Sequence, residues 1–95
     1  MLLVCVDMKM IGETWNDNYF KRQWNISTCH GEDGTVTKCC LQPGRHTLSC
    51  QNIAKFRTLP NGWGNVSLQI QGQEYCNNFF GTTAFREVLI TGKLI

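Results

Sequence analysis

Asn65-Val66-Ser67-Leu68-Gln69-Ile70-Gln71 is the stretch that decides how this chain folds. Val66, Leu68 and Ile70 alternate with Ser67, Gln69 and Gln71, so an extended backbone would put the apolar side chains on one face and the polar ones on the other. Moving outward, Val4, Val6, Met8 and Met10 share one parity, with Cys5, Asp7 and Lys9 on the other, which again reads as a half-buried strand. Near the C-terminus Val88 and Ile90 face one way and Phe85, Glu87 and Leu89 the other, the pattern of a strand buried on both sides. No segment sustains the three-and-four apolar spacing of a helix.

Turn residues divide the remainder. Glu32-Asp33-Gly34 predicts a hairpin between strands near 20–29 and 35–41, and Pro43-Gly44 leads into a strand near 45–51. Pro60-Asn61-Gly62 closes a long loop, Gln71-Gly72-Gln73 turns the chain into a strand over 73–79, and Gly81-Thr82-Thr83 precedes the last strand. The expectation is one all-β domain over residues 1–95, a disulfide-stabilised β-sandwich or jelly-roll-like fold of seven to eight short antiparallel strands.

Composition bounds the function. Charged residues are 17% of the chain and the net charge is +2, too little and too scattered for a nucleic-acid footprint. Lys21-Arg22 is the largest basic grouping and reads as a solvated pair. No apolar run approaches the ~20 residues a membrane span needs. Met1 to Val6 is apolar but lacks a basic start, a long apolar stretch and a cleavage site, so no complete signal peptide reads from it.

Six cysteines stand at positions 5, 29, 39, 40, 50 and 76, with no CxxC pair and no zinc-finger spacing. An even count in a short chain points to three disulfides and an oxidising compartment. Cys39 and Cys40 are neighbours on an expected strand, so they face opposite ways and need different partners. A Cys50–Cys76 bridge would anchor the 57–64 loop; the connectivity is otherwise open. Two sequons, Asn25-Ile26-Ser27 and Asn65-Val66-Ser67, suggest a secreted glycoprotein.

Nothing reads as catalytic machinery. His30 and His46 lack metal-ligand spacing and read as exposed structural residues, no GxSxG is present, and oxidised cysteines supply no thiolate. Trp15 and Trp63 fall among Asn and Gly, where a large ring suits stacking on sugars or protein recognition, or else caps the sandwich. Capping is the preferred reading. Phe79 and Phe80 are expected to point to opposite faces, one into the core.

The order of these landmarks resembles a small secreted domain of extracellular proteins from cnidarians and other marine invertebrates. Cys5 matches its first cysteine, Trp15-Asn16-Asp17-Asn18 its first loop, and Trp24 to Cys29 its tryptophan strand. Cys39-Cys40-Leu41-Gln42-Pro43-Gly44, Thr47-Leu48-Ser49-Cys50, Asn61-Gly62-Trp63 and Gly72-Gln73-Glu74-Tyr75-Cys76 match the rest. The resemblance implies a β-sandwich whose acidic loops could hold calcium, an ion that needs six to eight oxygens. Here Arg57 and Asn61 stand where that pattern has aspartates, and Asn18 where it has a glutamate. With only Asp17 left, the expectation is no resident metal or cofactor, the Arg57 guanidinium replacing the ion.

The function expected is a non-catalytic extracellular binding or adhesion module. It would recognise glycan or protein through loop residues Trp15, Asp17, Asn18, Arg57, Asn61 and Trp63. The alternatives are a structural subunit of a homo- or hetero-oligomer in an extracellular matrix, and a small secreted toxin or inhibitor.

Overall fold

A computed structural model describes residues 2–12, 20–33, 35–54 and 62–92. The described residues are all-β, and eight strands among them form two four-stranded antiparallel sheets. In chain order they are β1 (Val4–Ile11), β2 (Phe20–Ile26), β3 (Cys29–Glu32), β4 (Val36–Leu41), β5 (Gly44–Ala54), β6 (Ser67–Ile70), β7 (Gln73–Tyr75) and β8 (Thr83–Ile90). One sheet runs β4-β1-β6-β7 and the other β3-β2-β5-β8. Only the β2–β3 and β6–β7 links stay within a sheet; every other link crosses between layers. Each sheet thereby has one apolar face that only the other sheet can cover.

The alternation read from sequence fixes these faces. Val6 and Met8 of β1, Leu68 and Ile70 of β6, Leu48 of β5, and Val88 and Ile90 of β8 all point inward and are buried. Trp24 of β2 is buried beneath β3, where Gly31 passes directly over the indole. A Cβ on Gly31 would stand 2.5 Å from Cζ2 of that ring, so this strand needs glycine to close over the tryptophan. β6 is central in its sheet, and even its outward Ser67 is buried, donating its hydroxyl to Glu74 Oε1 at 2.9 Å.

Four expectations are corrected. The stretch 20–29 is two strands, because the chain reverses at Ser27-Thr28, with Ile26 opposite Cys29. Ser27 takes a φ of 53° there, a conformation that hairpin turns usually assign to Gly or Asn, so the turn carries no obvious sequence mark. The Glu32-Asp33-Gly34 signal then falls between strands of different sheets and makes no hairpin. The strand expected over 73–79 stops at Tyr75. Finally, β8 is an edge strand buried on one face only: Phe85 is 66% exposed and Leu89 58%.

All six cysteines are paired, as Cys5–Cys40, Cys29–Cys39 and Cys50–Cys76. Cys5–Cys40 links neighbouring strands of one sheet, in register, on the solvent face. Cys29–Cys39 ties the edge strands of the two sheets, and Cys50–Cys76 ties the centre of one sheet to the chain just beyond β7 of the other. Thiolate attack requires access, and Cys39, Cys50 and Cys76 are buried whereas Cys5 and Cys40 are exposed. Mild reduction followed by alkylation and peptide mapping is therefore expected to label Cys5 and Cys40 before any other pair. Earlier labelling of Cys50 and Cys76 would contradict this order.

Candidate functional site

The described strand ends that flank the segments expected to bind lie at one end of the sandwich. β1 ends there, β2 starts there, β5 ends there, and the 62–65 turn leads into β6. Trp15, Asp17, Asn18, Arg57 and Asn61 lie outside the described residues. Trp63 is described and is fully buried, in the capping arrangement. Its indole N–H donates to the Gln51 carbonyl of β5 at 3.0 Å, and its ring lies 6.2 Å from that of Phe79 at a tilt of 58°. The ring therefore fastens the 62–65 turn to the opposite sheet and offers no face to a ligand.

Gly62 shows how tightly that turn is set. Its φ is +49°, and an added Cβ would sit 2.5 Å from the Phe79 carbonyl oxygen. Both the backbone conformation and the space exclude a side chain. Phe79 is buried and Phe80 is 92% exposed, the opposite facing expected of the pair.

Beneath this end lies a polar group that the sequence-based reading missed. Arg22 is only 5% exposed, in contrast to the solvated pair expected of Lys21-Arg22. Its Nη1 and its backbone N–H both donate to Asp33 Oδ2 at 3.3 Å, and the Asp33 N–H returns a bond to the Arg22 carbonyl at 3.2 Å. Lys21, one residue earlier, points the other way and pairs with exposed Glu32. Parity is the reason: on a strand, neighbours face opposite sides. Asn52, directly across the ladder from Arg22, is also buried and donates its side-chain amide to the Gly62 carbonyl. Asp33 Oδ1 and Asn52 Oδ1 are buried with no hydrogen-bond partner among the described residues.

Deleting one member of a buried ion pair leaves the other charge uncompensated. Arg22→Ala is therefore expected to lower stability by about 3 kcal/mol, and Arg22→Met with Asp33→Leu by much less. Urea denaturation of the two variants checks this, and equal losses would contradict it.

At the other end His46 is half-buried between two partners. Its Nε2 is 2.7 Å from the Gln42 carbonyl and its Nδ1 2.6 Å from Ser27 Oγ. With Nε2 donating to the Gln42 carbonyl and Nδ1 sharing a hydrogen bond with the Ser27 hydroxyl, the ring pins the unusual Ser27 turn. His30 is exposed. Among the described residues no group of three or more His, Cys, Asp or Glu side chains could hold a metal ion, and no helix is long and apolar enough to cross a membrane.

Comparison with protein-family models, curated proteins and solved structures finds no match to this chain.

Proposed function

We propose that the chain is an extracellular, non-catalytic module that binds glycan or protein at the end built over Arg22, Asp33 and Asn52. The observation that carries this reading is the buried polar group itself. Apolar residues would pack that position at no desolvation cost, yet the chain places a charge pair and an amide at this end. Such groups hold loop backbone by hydrogen bonds, as Asn52 holds Gly62, and a rigid base is what a binding loop needs. Three disulfides and two exposed sequon asparagines, Asn25 and Asn65, support passage through a secretory compartment. Within the loops, Asp17, Asn18 and Asn61 supply polar contacts and Arg57 takes the place of a divalent ion.

The test is a panel of immobilised glycans and extracellular proteins probed with the oxidised protein. Binding lost in Asp17→Ala and Arg57→Ala, with the disulfides intact, supports the reading. Binding that survives both changes would remove the loops from it, and micromolar calcium affinity by titration calorimetry would end the role given to Arg57.

A second reading rests on β8. Phe85 and Leu89 stand on the solvent face of an edge strand, an arrangement suited to packing against another chain. A subunit mass that rises with concentration, and falls to one chain in Phe85→Ser, would favour an assembly role.

A further inference from the structure

The β2–β3 ribbon carries a cleft of about 410 Å³, flanked by Gln23, Asn25, His30, Glu32, Thr35 and Thr37. That volume lies within the range of small-ligand sites. Side-chain amides, hydroxyls, an imidazole and a carboxylate line it, with no aliphatic residue among them. The one carboxylate, Glu32, is already paired with Lys21. An ionic ligand would find little uncompensated charge here, whereas a neutral ligand with many hydroxyls would find both donors and acceptors.

Trp24 and Gly31 complete the lining. The Trp24 indole is 1% exposed, and its Nε1–H has no acceptor among the described residues. A buried donor left unpaired costs about 1–3 kcal/mol. Gly31 covers this nitrogen so closely that a Cβ would lie 2.8 Å from it, so the indole lies closed off beneath the cleft floor. Trp63, the other described tryptophan, has its donor satisfied. Trp24 is thus the described indole that lies against the cleft.

Asn25, at the cleft, is also exposed and heads the sequon Asn25-Ile26-Ser27. We infer that this cleft is a saccharide site, suited to an N-acetylhexosamine unit, with Gln23, Thr35 and Thr37 binding its hydroxyl and acetamido groups above the Trp24 ring, whose resonance reports on occupancy. The sugar has two sources. It arrives free, or it is the first residue of a glycan on Asn25 itself. In the second case Asn25 Nδ2 bonds to the anomeric carbon of a lipid-diphosphate sugar, the diphosphate leaves with the bonding electrons, and the nitrogen loses one proton. That source alone rests on the secretory reading above.

The test compares two preparations of the full chain, one made unglycosylated and oxidised in vitro and one from a glycosylating secretory host. The probe is N,N′-diacetylchitobiose, and the readout is the Trp24 indole ¹H–¹⁵N resonance, with that of Trp63 as the folding control. In the unglycosylated protein the Trp24 signal is expected to shift saturably, with affinity about tenfold weaker in Gln23→Ala and in Thr37→Val. If the glycosylated protein starts with the Trp24 signal displaced and ignores the disaccharide, the attached glycan is the occupant. If it titrates like the bare protein, the free sugar is. A Trp24 signal indifferent to the disaccharide and identical in both preparations would overturn the inference, as would binding that neither substitution weakens. Loss of glycan-panel binding in the Asp17 or Arg57 variants does not bear on this cleft, so the two readings fail separately.

Discussion

Trp63→Ala is expected to lower the unfolding free energy by about 3–5 kcal/mol, the range for deleting a large buried aromatic. The ring is fully buried at the junction of both sheets, packed against Phe79. Its removal also leaves the Gln51 carbonyl without its indole donor, a further penalty if water cannot replace it. Domains of this size have about 5–10 kcal/mol in total, so the variant should be close to unfolded at body temperature. Trp63→Phe keeps most of the volume and loses the hydrogen bond, and is expected to cost about 1–2 kcal/mol. Guanidinium denaturation followed by near-ultraviolet circular dichroism measures both. A Trp63→Ala protein with unchanged stability would show that the turn is not held as described.

The second large effect is expected from removing Cys50–Cys76. Its 26-residue separation corresponds to about 3.5 kcal/mol of loop-closure entropy in the chain-entropy account. Both sulfurs are buried and join β5 to the chain following β7, so Cys50→Ala with Cys76→Ala also empties core volume. Cys5–Cys40 spans 35 residues, and entropy alone would rank it higher, at about 3.8 kcal/mol. Yet it is exposed and joins strands already paired in register from Val4–Leu41 to Lys9–Val36. Packing is expected to reverse the ranking, with the Cys50/Cys76 variant less stable than the Cys5/Cys40 variant by about 1–2 kcal/mol. Thermal unfolding of the two double alanine variants decides it, and the opposite order would show that chain entropy outweighs packing at these bridges.

What was legible in the sequence followed alternation. β1, β6 and the inward face of β8 could be read because their apolar residues recur every second position, and the separate partners of Cys39 and Cys40 followed from the same rule. The β2–β3 reversal was not legible, because Ser27 occupies a positive-φ position without glycine and is steadied by His46, 19 residues away. Arg22 was misread for a related reason. Its partner Asp33 is 11 residues distant, and no local pattern tells a buried arginine from an exposed one. Parity gave a clue: Arg22 shares its face with Trp24 and Ile26, and Lys21 does not. The β2–β3 cleft depends on residues from β2, β3, β4 and the link before β4 meeting in space, which linear spacing does not disclose.

The adjacent cysteines of β4 have a consequence for how the oxidised chain is assembled. Cys39 reaches across the layers to Cys29, while Cys40 faces water and meets Cys5. Exchanging their partners would require β4 to slide by one position, turning Leu41 and Thr37 outward and Lys38 inward. Covalent closure therefore proofreads strand alignment: a misaligned β4 presents the wrong sulfur to each mate, and the correct cross-links seal only the arrangement that already buries the apolar face.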